Sequence, residues 1–143
     1  ANNGFVNVPW EIETSNDYMD KLKIKAPNIN ALCGNLSGGN QQKVILSKWL
    51  AAGVKLLILD EPTKGIDVNA RAEFYALMNQ FVEDGGCIIM ISSDMPEVIK
   101  VADRAYVMSE GRLTGELTRE EITEINLISL ANPVTDGSDK QAQ

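Results

Sequence analysis

Apolar positions along the chain follow two patterns, short dense runs and longer stretches with helical spacing. Residues 55–60 (KLLILD) and 87–92 (CIIMIS) are too short for helices and read as fully buried parallel strands. Residues 104–108 make a third strand. Between the first two, 68–84 repeats apolar residues at helical spacing, with Tyr75, Leu77, Met78, Phe81 and Val82 on the expected buried face and Gly85-Gly86 as the stop. Upstream, Leu36-Ser37-Gly38-Gly39 opens a helix to about Ala52, with Val44, Ile45, Trp49 and Leu50 on one face and Gly53 ending it. Residues 16–24 predict a short helix that Pro27-Asn28 interrupts, and 1–15 lack periodicity and read as a loop or a severed end. After the second strand, 96–101 is a short helix. Glu110-Gly111 turns 104–108 back into 112–117 as a hairpin, and Thr118 with Glu121 forms a capping box for a last helix to about Ala131.

Strand–helix alternation of this kind implies an α/β sheet with right-handed parallel crossovers, and the three strands are expected side by side. Ligands of such sheets sit beyond the carboxyl ends of the strands, which selects Asp60-Glu61 and Ser92-Ser93.

Composition narrows the function classes. The formal net charge of −7 argues against binding nucleic acid or an anionic membrane surface by bulk electrostatics. No apolar run approaches the roughly 18 residues of a membrane span, so a membrane role has to come through a partner. The two cysteines, Cys33 and Cys87, form no CxxC pair, and the chain has no histidine to complete a zinc site; both thiols are expected reduced and buried.

Three constellations carry chemistry. In LSGGNQQK, residues 36–43, two glycines at a helix start let backbone approach a ligand; the N–H groups and helix dipole favour an anion, and Ser37 adds a hydroxyl. An ordinary Ser-Gly-Gly cap fits the same residues. In LLILDEPT, residues 56–63, two adjacent acids end a strand and point to different sides. Asp60 can hold Mg²⁺ and Glu61 can take a proton from an attacking water; a solvated strand end is the plainer reading. Gly65-Ile66-Asp67 and Ser92-Ser93-Asp94 read equally as loops with capping residues.

Taken in order, these motifs resemble the ATPase subunits of ABC transporters, over roughly residues 34–117. The resemblance implies a phosphate-loop NTPase-like α/β fold, with a parallel sheet flanked by helices, part of the helical subdomain and a C-terminal hairpin. It divides the chain into 1–53 (helical subdomain), 54–131 (core with hairpin and helix) and 132–143 (a disordered tail). It also implies that Leu36, Ser37, Gly38, Gly39 and Asn40 form the family signature that contacts ATP, with Asp67 in the D-loop. Asp60 is implied as the Mg²⁺ ligand, Glu61 as the catalytic base, and Ser93 in the place of the switch histidine. NLSGGNQQKV, KWL, DEPTKGIDV and ISSDMPEV are similar to the second cassette of two-cassette carbohydrate importers, in which serine commonly replaces that histidine and Asn occupies the fifth signature position.

No G-x-x-x-x-G-K-[ST] loop occurs in the chain. The chain is therefore expected to be a fragment, inactive alone, whose full subunit binds ATP and Mg²⁺. Expected partners are the first cassette of the same subunit, or a second copy, and transmembrane permease subunits, at the cytoplasmic face of the cell membrane. In the resembled branch the second cassette's phosphate loop tends to lack its lysine, which implies two unequal ATP sites. The rival readings are a soluble ABC-type ATPase acting on ribosomes or DNA, whose translation-type members usually read NHLD where this chain has KGID, and a non-catalytic interaction domain on the same fold.

Overall fold

The computed structural model describes residues 7–133, so the tail expectation for 134–143 lies outside the described residues. The chain forms two compact units, the first ending at Ile91 and the second starting at Ser92. The expected subdomain boundary at 53/54 falls inside the first.

The first unit opens with helix α1, Val8–Lys21, where a loop was expected through residue 15. Its start is set by local chemistry: Pro9 lies in the first turn, and the Asn7 side chain accepts the Trp10 N–H at 3.2 Å. No residue of α1 is buried; Leu22, just past its end, is, and residues 16–21 of α1 fall within the helix expected at 16–24. After a 3-10 turn at Cys33–Asn35 comes α2, Gly38–Ala51, starting where the motif predicts. Its buried stripe is Gly39, Lys43 and Leu46, not the expected Val44–Leu50 face, and Ile45 and Trp49 are exposed. An ion pair, described below, lets a lysine occupy the inward position that hydrophobicity alone assigns elsewhere.

Strand β1, Leu56–Asp60, and β2, Cys87–Ile91, flank α3, Val68–Glu83, and pair parallel, with Leu56 opposite Cys87 through Asp60 opposite Ile91. Their burial corrects the expectation of strands covered on both faces. Leu57 is buried, but Leu56, Ile58, Ile89 and Ile91 are each at least half exposed. Side chains alternate across a sheet, and in this unit one face is left open. Cys87 stands on that face; it and Cys33 are free thiols and exposed, not buried. On α3, Phe74, Tyr75 and Met78 are buried, whereas Val82 is exposed.

In the second unit, α4 (Met95–Val101) leads to β3 (Arg104–Ser109) and β4 (Arg112–Thr118). β3 pairs antiparallel with β4 in a separate two-stranded sheet; it does not extend the parallel pair as expected. The predicted hairpin is present, and Glu110 and Gly111 take φ of +49° and +76°, as a tight two-residue turn needs. The Thr118–Glu121 capping box forms, but it closes a 3-10 turn, Arg119–Glu121; the last helix, α5 (Glu124–Ala131), has its own cap in Thr123. Ala105, Val107, Leu117, Ile122 and Leu127 make this unit's core. Arg119 donates to the Ile99 and Ala102 carbonyls at 2.8 and 2.7 Å, satisfying the open end of α4.

Candidate functional site

The start of α2 is built by close approach to the loop before α3. A Cβ on Gly39 would stand 2.6 Å from the Ala70 Cβ, and one on Gly38 3.2 Å from the Ile66 Cγ2. The signature glycines thus have a packing reason that sequence reasoning did not identify, alongside the anion-binding one. Ser37 is the N-cap residue, in extended conformation, yet its side chain makes no cap hydrogen bond to its own helix. Its Oγ instead accepts from Asn40 Nδ2 at 2.8 Å, and Asn40 Oδ1 accepts the Lys25 backbone N–H at 2.8 Å. The Leu36 carbonyl accepts from Gln41 Nε2 at 2.8 Å, which fixes the turn into the helix.

Ser37, Gly39, Asn40 and Asp67 line one cleft of about 250 Å³, together with Lys25, Lys43, Asn69, Ala70 and Glu73. Leu36 and Gly38 lie beside it in the chain without lining it. Asp67 caps α3, its carboxylate accepting the Ala70 N–H at 2.9 Å. Beneath the cleft, Lys43 is 4 % exposed and its Nζ donates to Glu73 Oε2 at 2.6 Å and to the Lys23 carbonyl at 3.3 Å. The hydrogen bond and charge of Lys43, helped by the charges of Lys25 and Lys23, hold the Glu73 carboxyl below its ordinary range. This pair was missed in the sequence, where Lys43 read only as the end of the motif.

Asp60 and Glu61 stand outside that cleft. Asp60 ends β1, exposed and in register with Ile91. Glu61 leaves the strand with φ +47°, a left-handed conformation uncommon for a non-glycine, and its N–H still donates to the Ile91 carbonyl at 2.8 Å. Such strain costs on the order of 1–3 kcal/mol and concentrates at functional sites. The turn is held by the Lys64 N–H to Glu61 carbonyl bond at 3.1 Å and by Thr63, 2 % exposed. Among the described residues no three His, Cys, Asp or Glu side chains converge as a metal cage. A single carboxylate at Asp60 suits Mg²⁺, which usually takes one or two protein carboxylates and completes its shell with phosphate oxygens and water.

Ser93 follows Ile91 by two positions and is exposed. Its neighbours are structural: Ser92 Oγ donates to Glu97 Oε2 at 2.6 Å and accepts the Asp94 N–H at 3.1 Å, and Asp94 caps α4. Among the described residues no helix is long and apolar enough to cross a membrane.

The chain is similar to known proteins over most of its length. Residues 6–64 match the family profile described as ABC transporter. The ribose import ATP-binding protein RbsA of Yersinia pestis is 47 % identical over 127 residues, 89 % of this chain and 25 % of that protein. The xylose import ATP-binding protein XylG of Moorella thermoacetica is 50 % identical over 129 residues, 90 % of this chain and 26 % of its own length. The chain thus spans about a quarter of the length of the curated relatives it matches. In fold it resembles a nucleotide-free ATP-binding cassette from an ABC transporter, with a TM-score of 0.75 at 22 % identity over 92 % of this chain and 51 % of that one. Signature, strand-end acids and fold agree: the chain belongs to the ABC transporter family and has the fold of its ATP-binding cassettes.

Proposed function

We propose that the chain is part of the ATP-binding and ATP-hydrolysing subunit of an importer for a monosaccharide. The observation that carries this reading is the start of α2, where Ser37, Gly39 and Asn40 gather beside Asp67 in one cleft and the first-turn N–H groups have no side-chain cap. Uncapped N–H groups at the positive end of a helix dipole bind anionic oxygens, here a phosphate of ATP. The ribose and xylose import names of the relatives support the cargo class.

The residue roles are assigned from the resemblance of the motifs. Leu36, Ser37, Gly38, Gly39 and Asn40 form the signature that caps the nucleotide, with Asp67 beside it. Asp60 would hold Mg²⁺, whose chemistry when bound is to neutralise charge on the phosphates. Glu61 would take a proton from the attacking water, and Ser93 would occupy the switch position. That the signature cleft and the strand-end acids are separate suits an arrangement in which they serve different ATP sites, each completed by another cassette: the first cassette of the same subunit or a second copy. Residues 1–53 would belong to the helical subdomain and 54–131 to the catalytic core. Permease subunits would bring the assembly to the cytoplasmic face of the membrane, and the net charge of −7 supports a partner other than nucleic acid.

The test is sugar uptake into proteoliposomes holding the whole transporter. ATP-dependent accumulation of ribose or xylose is expected, falling by about 10²-fold with Ser37→Arg, the scale for losing positioned charge stabilisation. ATP hydrolysis with no uptake of any monosaccharide would refute the cargo class, and unimpaired uptake by Ser37→Arg would refute the signature assignment.

A further inference from the structure

We propose that Asn40 is a positioning residue that makes the Ser37 hydroxyl a hydrogen-bond donor toward the nucleotide; this deepens the function proposed above and rests on it. The chain of reasoning starts at a group with no ambiguity. The Lys25 backbone N–H can only donate, and it lies 2.8 Å from one terminal atom of the Asn40 amide, which must therefore be the oxygen. The other terminal atom is then the NH₂ nitrogen, and it lies 2.8 Å from Ser37 Oγ. The serine oxygen accepts that bond. A hydroxyl has one proton, and with its oxygen engaged by a donor the proton is left to point away from Asn40.

A second observation agrees. An N-cap serine ordinarily turns its oxygen onto the N–H groups of its own first turn, and here it does not. Asn40, at the third helical position, draws the oxygen away. This does two things for an anion at the start of α2: the first-turn N–H groups stay uncapped, and the hydroxyl proton becomes one more donor beside them. Ser37 is exposed and lines the cleft with Lys25, so the donor is accessible. Lys25 itself belongs to no motif, and its part is played by its backbone. A merely structural Asn40 would serve only to tie the segment after α1 to α2.

The experiment is steady-state ATP hydrolysis by the intact subunit within its transporter, measuring kcat and KM for Ser37→Ala, Asn40→Ala and the double variant, with folding checked by circular dichroism. Loss of one positioned donor lowers kcat/KM by about 10²-fold, the expectation for Ser37→Ala. Asn40→Ala is expected to cost about tenfold where Ser37 is present and less than about twofold in the Ser37→Ala background, the non-additivity that marks action through one group. Asn40→Asp serves if Asn40→Ala does not fold. One carboxylate oxygen keeps the Lys25 bond and the other takes the Ser37 proton inward, so its cost should be larger with the serine present than in the Ser37→Ala background. Equal costs of the Asn40 substitution in the two backgrounds would overturn the inference while leaving the proposed function standing. No effect of Ser37→Ala would overturn both.

Discussion

At the residue scale, the least expected finding is a buried lysine inside a sequence motif. Lys43 is 4 % exposed and depends on Glu73, which is 53 % exposed at its side chain. Removing a partner from a buried charge costs several kcal/mol, but the exposure of Glu73 lets water take over part of its role, so Glu73→Gln should destabilise the chain by about 1–2 kcal/mol. Lys43→Met removes the charge that needs a partner and should cost less. The pH dependence has a definite sign. The folded-state carboxyl is held low, so the pair's contribution is complete above the unfolded glutamate pKa of about 4.3 and is lost as pH falls through the lower folded value. Denaturant melts of the native chain and Glu73→Gln should therefore differ by a constant amount from pH 7 to about 5, the gap closing only as pH falls through the lowered folded-state value. A gap that does not narrow at all as pH falls below the unfolded glutamate pKa would assign the effect to packing instead. None of this was legible beforehand, because nothing in a sequence brings residues 43 and 73 together, and a lysine in a helix ordinarily marks its wet side.

At the scale of elements, legibility tracked local chemistry. The start of α2, both strands of the hairpin and the limits of α3 follow from capping residues, glycine stops and apolar runs, and they stand where those signals put them. The second half of helix α1 lies within the helix expected at 16–24, whereas its first half was missed because its signal there is local, Asn7 with Pro9, with no buried stripe to reinforce it. The acids at the end of β1 were legible as a pair, but the left-handed turn at Glu61 was not, since only the following loop imposes it. Gly39 shows how a motif residue can also be a packing residue. Gly39→Ala would place its methyl 2.6 Å from the Ala70 Cβ, and neither lies on a flexible side chain. The two helices must move apart, at a cost of about 1–3 kcal/mol in urea unfolding. Ala70→Gly in the same chain should recover most of it. A Gly39→Ala chain as stable as the parent would show that the α2–α3 contact is loose, and that glycine is needed there for ligand approach alone.

At the scale of the whole molecule, the proposed function gives the first unit two sets of functional residues. One is the signature at the start of α2; the other is the pair of acids at the end of β1. On the proposed function these sets face different ATP sites, and the chain's resemblance to second cassettes makes those sites unequal, with Ser37 serving the stronger and Glu61 the weaker. Family and fold were legible because the ordered motifs are specific. How the work is divided between the sites was not, because it depends on surfaces that each site draws from another cassette. One measurement separates the possibilities: steady-state ATP hydrolysis by the reconstituted transporter, with Ser37→Arg and Glu61→Gln compared as single substitutions. Ser37→Arg forces a bulky cation into the phosphate cap and should lower the rate by about 10²-fold or more, whereas Glu61→Gln keeps size and removes only the base, and should cost less than about tenfold. Equal losses from the two substitutions would mean that both sites hydrolyse, and would contradict the unequal-site account.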